Sequence, residues 1–268
     1  MNSHAHEIAM RSRFKFGRNW KHFVQTVDDA IISKAETSLQ AMLKIDDLRG
    51  KRFLDMGSGS GLFSLAARRL GAHVYSFDYD PESVACTRQL KEKYFAGDGE
   101  WVIEEGSALN AEYLRTLGEC DVVYSWGVLH HTGSMWAALE NAALPVKQNG
   151  KLFISIYNDQ GWISRYWTMV KRIYNKNLPL RMGIILIHFP YLFGMRYVIR
   201  LLTGRLKQER GMSLWYDMID WLGGYPFQVA KPEEIVAVYA KAGFALEKLR
   251  TCGNRHGCNE FVFVKKRE

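Results

Sequence analysis

Phe53-Leu54-Asp55-Met56-Gly57-Ser58-Gly59-Ser60-Gly61-Leu62-Phe63 is the stretch on which the reading of the chain turns. Phe53 and Leu54 are apolar strand residues, Gly57, Gly59 and Gly61 form a G-x-G-x-G turn, and residues 62–70 have helical spacing. Glycine lacks a Cβ, so the backbone can turn tightly there and approach a ligand closely. The helix that follows points its N-terminal N–H groups at that ligand. Asp55, two residues before the first glycine, would repel a pyrophosphate and suits a cationic or amino-bearing ligand.

Downstream the pattern alternates. Strands are expected at 52–56, 73–77, 101–105, 121–125 and 151–157, with helices at 61–70, from Pro81 to about 94, near 110–117 and at 134–146. Such alternation implies a parallel sheet with right-handed crossovers, whose ligand lies outside the carboxyl ends of the strands. The first strand ends in Asp55 and the glycines, and the second in Asp78 and Tyr79. An acid in the place of Asp78 can grip both hydroxyls of a ribose. The third strand ends in Gly106-Ser107-Ala108, the fourth in Trp126-Gly127-Val128-Leu129-His130-His131, and the fifth in Tyr157-Asn158-Asp159. A second nucleotide-binding half is missing from the pattern, which speaks against a dinucleotide.

With those residues in place, the chain resembles the class I S-adenosylmethionine-dependent methyltransferase family, of the type with a V-L-H-H motif after strand 4. The resemblance rests on D-x-G-x-G-x-G, the acid after strand 2, G-S-A after strand 3 and Val128-Leu129-His130-His131. It covers residues 48–157 and extends to two C-terminal strands. It implies an α/β fold, a Rossmann-like seven-stranded, mostly parallel sheet with helices on both faces and the last strand antiparallel. It also implies S-adenosylmethionine as cofactor. Gly57 and Gly59 would contact its methionine part and Asp55 its amino group, Asp78 the ribose, and Ser107 and Ala108 the adenine, with Trp126 near the methionine moiety. Ser58, Gly61 and Tyr79 complete the expected cofactor-binding set.

Methyl transfer is an in-line displacement from a leaving group that is already cationic. The protein must therefore align the acceptor and, where the acceptor carries a proton, remove it. A histidine at the mouth of strand 4 suits that task, and we expect His131 in preference to His130 as the base, with Tyr157 and Asn158 positioning the acceptor.

The acceptor must be decided outside the core. Residues 18–45 read as helices, preceded by an aromatic and basic arm, 11–18, that is expected to fold over the ligand. Some seventy residues separate strand 5 from Pro232, more than the core needs. We therefore divide the chain into a helical arm or lid (1–47), a core (48–160 and 227–268) and a helical cap insertion (161–226). Substrate contacts are expected from Phe16 and Trp20 in the arm, Tyr216 and Trp221 in the cap, and Asn254 and His256 in the 252–259 loop. Cys252, His256 and Cys258 lack finger spacing, so no metal is expected.

The net charge of +8 is concentrated, since residues 161–210 hold ten Lys/Arg and a single acid, Glu209. That suits an anionic small acceptor, an anionic membrane surface or nucleic acid. RNA-stacking modules are missing and apolar residues alternate with the basic ones, which disfavours nucleic acid. The apolar run 178–202 is broken by His188, Pro190, Arg196 and Arg200, which disfavours a membrane span and leaves a helical cap or an interfacial helix. The expected activity is methyl transfer to a small-molecule or lipid- or glycan-linked acceptor. Methylation of RNA, and transfer or cyclisation of another group of the same cofactor, stay open. Met1-Asn2-Ser3-His4-Ala5-His6 has neither a cationic n-region nor an apolar core, so a cytoplasmic protein is expected.

Overall fold

The computed structural model describes residues 3–10, 12–203, 214–253 and 257–267. Five strands come first: β1 (Arg52–Met56), β2 (His73–Asp78), β3 (Trp101–Glu105), β4 (Cys120–Trp126) and β5 (Val146–Tyr157). They pair in parallel, and β6 (Phe244–Arg250) and β7 (Cys258–Lys265) complete a sheet of order β3-β2-β1-β4-β5-β7-β6. β7 runs antiparallel to both β5 and β6. The order reverses between β1 and β4, and that is where a crevice opens at the carboxyl edge.

Central strands buried on both faces read as continuous apolar runs. Phe53, Leu54 and Met56 of β1 are fully buried accordingly. The helices are α1 (Ser3–Ala9), α2 (Gly17–Thr26), α3 (Asp29–Leu43), α4 (Leu62–Arg69), α5 (Pro81–Phe95), α6 (Ala111–Thr116), α7 (Met135–Ala142), α8 (Trp162–Tyr174), α9 (Leu178–Phe189), α10 (Arg196–Thr203), α11 (Leu214–Gly223) and α12 (Pro232–Lys241). Their starts follow side-chain chemistry. Asp28, Asp80, Asn110 and Asn177 each accept a backbone N–H of the first turn of α3, α5, α6 and α9, and Pro81 and Pro232 lie in the first turns of α5 and α12.

One face of the sheet is covered by α6, α7 and α12, through Leu114, Leu139, Ile235 and Tyr239. The other is covered by α2 to α5, through Phe23, Leu39, Leu65 and Leu90. Each such buried aliphatic or aromatic side chain contributes about 1.5–3 kcal/mol. Half of the 1–47 segment is therefore core layer, since Ile32, Leu39, Met42 and Leu43 of α3 are fully buried. The part that folds over the crevice is α1 and the run up to Trp20. A third cluster joins Trp167, Val170, Tyr174, Leu192, Met218, Leu222 and Phe227, and gives the 161–226 insertion its own core.

Two boundaries differ from the sequence reading by four or more residues. α7 stops at Ala142, and β5 starts at Val146 rather than at 151. The early start of β5 is a bulge. Val146 pairs with Cys120, and the ladder resumes at Lys151 opposite Val122 after Asn149 takes a left-handed φ of 58°.

Candidate active site

Asp55, the penultimate residue of β1, has its carboxylate buried. It accepts Ser64 Oγ of α4 at 2.5 Å, Ser64 accepts Ser76 Oγ of β2 at 2.7 Å, and Ser76 accepts the Trp101 indole N–H at 2.9 Å. Burial pushes the Asp55 carboxyl up to about 7, against the pull of the Ser64 hydrogen bond. The glycine turn wraps around the next strand: the N–H groups of Gly57 and Ser58 both donate to the carbonyl of Phe77, at 2.8 and 3.0 Å. Gly57 has φ +85°, and a Cβ there would strike Val128. Gly59 lies under the Trp20 indole, and a Cβ would come within 3.2 Å of that ring. Both positions thus require glycine, for conformation and for space.

Asp78, at the end of β2, accepts the N–H of Gly59 at 2.8 Å and that of Asp80 at 2.9 Å. These bonds fix its orientation, while burial holds its carboxyl up at about 6. Tyr79 donates to Glu7 at 3.0 Å, and Glu7 pairs with Arg13. Arg13 in turn donates to the carbonyl of His131 at 3.0 Å. The arm is therefore stitched across the crevice from β2 to the turn after β4.

That turn, a 3-10 segment Leu129–His131, holds the histidine pair. His131 Nδ1 lies 2.6 Å from the carbonyl of Pro226. A carbonyl only accepts, so Nδ1 carries the proton and Nε2 keeps the lone pair. Burial lowers the His131 pKa to about 3, with Lys171 and Arg13 adding to the effect, so the ring is neutral at physiological pH. Its neighbours are Phe16 (5.0 Å between ring centres) and Tyr157 (5.7 Å).

A cavity of about 2030 Å³ joins these groups. Small-molecule sites run to about 300–1,000 Å³, so it has room for two ligands side by side. Asp55, Gly57, Ser58, Gly59, Asp78, Tyr79, Ser107, Ala108 and Trp126 line one part, and Phe16, Trp20, His131, Tyr157 and Trp221 another. Four expected residues stand off it. Gly61 packs on Thr87 instead. His130 is fully buried between His131 and Tyr157. Asn158 binds the carbonyl of Gly253 and the Asn259 side chain. Tyr216 stacks on His22, 4.9 Å away. Asn254 and His256 lie outside the described residues. Among the described residues no cluster of three or more His, Cys, Asp or Glu could hold a metal.

The sequence reading did not single out Glu7 or Glu260, and it took Arg13 only as part of the 11–18 arm and Asp217 and Asp220 only as the acids of an aromatic wall; all five line the cavity. Glu260 accepts the Trp126 indole N–H at 2.9 Å, and Asp220 accepts Asn19 at 2.5 Å. An arm residue paired with a partner 201 positions away leaves no periodic trace. The two acids among the aromatics of 214–226 were the one available signal.

The fold is that of the methyltransferases. A methyltransferase-domain family profile matches residues 27–248, and the chain belongs to that family, as a class I S-adenosylmethionine-dependent methyltransferase. Among curated relatives, the ubiquinone biosynthesis O-methyltransferase of Xanthomonas oryzae pv. oryzae is 35% identical over 112 residues, 42% of this chain and 45% of that protein. That of Sinorhizobium fredii is 31% identical over 112 residues, 41% of this chain and 43% of that protein. The matched region thus spans less than half the length of these relatives. Among solved structures, magnesium protoporphyrin IX methyltransferase from Synechocystis PCC 6803 with bound SAH superposes with a TM-score of 0.56 over 93% of this chain and 94% of that one, at 15% identity. An O-methyltransferase family protein from Burkholderia thailandensis gives 0.55 over 90% of this chain and 58% of that one, at 14% identity. These two likenesses concern the fold.

Proposed function

We propose that the cavity transfers a methyl group to the hydroxyl of a small, largely apolar acceptor, phenolic in character and lipid-linked. S-adenosylmethionine, when bound, supplies an electrophilic methyl on a sulfonium. The residues fit such a group. Asp55 and Asp78 are carboxylates whose pKa values are raised by burial, and both line the cavity beside Gly57, Ser58 and Gly59. Asp55 would take the amino group, Asp78 the ribose hydroxyls, and Ser107 and Ala108 the adenine edge. Phe16, Tyr157 and Trp221 form an aromatic wall that orders the acceptor and excludes water.

One observation carries this reading: a cavity-lining imidazole whose Nδ1–H is committed to Pro226, with Nε2 left as the base. Its low pKa makes it available at every physiological pH but a weak base. It therefore matches an acidic hydroxyl such as a phenol better than an aliphatic alcohol. The O-methyltransferase names of the curated relatives agree with an oxygen acceptor. Replacement of His131 by Gln should lower kcat by about 10²–10⁴-fold with cofactor affinity unchanged. Wild-type kcat should show no break near pH 6.5. Full turnover by the variant in single-turnover assays on a phenolic acceptor would sink the assignment.

A further inference from the structure

The helical run Leu178–Ile199 is long and apolar enough to cross a membrane, yet only 12% of its most apolar 18-residue window is buried. Its apolar residues fall in stripes. Ile187, Tyr191, Met195, Val198 and Leu202 recur every three or four residues and are all exposed, as are Leu178, Met182 and Leu186. Leu186 and Ile187 are 70% and 71% exposed. Trp162 and Met169 of α8 are exposed as well, Trp162 by 74%. Scattered exposed apolar residues are ordinary, but so many at helical spacing along one run mark an interaction surface.

Charge decides among the occupants. From Gly161 to Gln208 the sequence carries nine Lys/Arg and no acid; Lys171 is buried, while Arg165, Arg172 and Lys176 are exposed. A second copy of this face would bring like charges together. An anionic lipid surface complements both the apolar stripe and the basic background. A span is disfavoured because Arg181, Arg196 and Arg200 recur along the run, and because Leu192 and His188 are buried against the cap.

The same run reaches the cavity. Tyr191, Leu192, Met195 and Ile199 line it together with Trp221 and Asp217. We propose that α9, the π-helical segment Pro190–Met195 and α10 lie flat on an anionic phospholipid surface, and that the acceptor enters the cavity from that surface. The entry route rests on the methyl-transfer reading of the cavity; the docking does not.

The test is flotation of the full chain with vesicles of phosphatidylcholine alone and of phosphatidylcholine with phosphatidylglycerol. Strong binding to the anionic vesicles, weakened by 0.5 M salt, is expected. Leu186→Glu/Ile187→Glu should reduce it by roughly tenfold or more. Neither residue lines the cavity, so calorimetric affinity for S-adenosylhomocysteine and turnover of a water-soluble phenol should be retained. Four results would overturn the proposal: equal partitioning of the double variant, no preference for anionic vesicles, resistance of reconstituted protein to carbonate extraction, or a wild-type dimer that the double variant dissociates without any vesicle binding. Normal flotation with no methyl transfer to any phenol would instead count against the reading of the cavity and leave the docking intact.

Discussion

At the scale of single residues, Asp55 is expected to couple cofactor binding to pH. Its carboxyl is raised from 3.8 to about 7 in the folded protein. Between those values the native state holds a proton that the unfolded state has lost, so its contribution to stability falls as pH rises through that window. A cationic amino group beside it favours the charged form. Cofactor affinity should therefore rise with pH up to about 7, by as much as roughly tenfold per unit. Titration calorimetry from pH 5.5 to 8 would check this; Asp55→Asn should bind weakly and without the slope. An identical slope in the variant would place the titrating group elsewhere. His131 acts in the opposite sense. Its pKa is lowered, so the stability it carries is present above about 6.5 and is lost as pH falls towards 3.

Among the elements, α8 and α11 are joined by a buried cation. Lys171 donates to the carbonyl of Trp221 and sits over the rings of Trp221 (4.5 Å) and Phe227 (4.7 Å). Burial lowers its pKa to about 7, and burial raises Asp220 to about 7, each group partly supporting the charge of the other. Two desolvated charges at this distance from water gain little net stability, but removing the space they fill costs a great deal. Lys171→Met, which keeps the stem over the rings, should change the urea unfolding free energy by less than about 1.5 kcal/mol. Lys171→Ala should cost about 3–5 kcal/mol. If the two variants were equally destabilised, the charge and not the packing would be what holds α8 to α11.

For the molecule as a whole, the seven-stranded core was legible because its signals are local. A glycine turn, an acid at the ends of β1 and β2 and alternating apolar periods fix strands and crossovers without reference to distant residues. That Asp55, Asp78 and Ser107 would share one cavity was legible for the same reason, since the first two lie in the last two residues of β1 and β2 and Ser107 lies two residues after β3. The pairings on the opposite wall were not. Arg13 reaches His131 across 118 positions, and Asn19 reaches Asp220 across 201. Such pairings depend on how the arm and cap pack. His130 and His131 are neighbours in sequence, but the 3-10 turn directs one into the core and the other to the cavity. Because residues between 4 and 38, the strand ends and residues between 191 and 221 all border one cavity, a ligand filling it should stabilise them together. Cofactor at 100 times its Kd should add about 2.7 kcal/mol. Calorimetry should then show a Tm higher by roughly 5–10 °C; an unchanged Tm would mean the cavity does not bind it.

The hydroxyl chain from Trp101 through Ser76 and Ser64 to Asp55 gives this protein a spectroscopic handle on that event. The Trp101 indole proton is fully enclosed and ends a relay that begins at the ligand's expected counter-charge. Hydrogen bonds in such a chain polarise one another. In a proton–nitrogen correlation spectrum, the Trp101 side-chain resonance should move when Asp55 ionises or meets a cation, although the indole touches no ligand. Ser64→Ala should uncouple it, leaving the resonance still while binding proceeds.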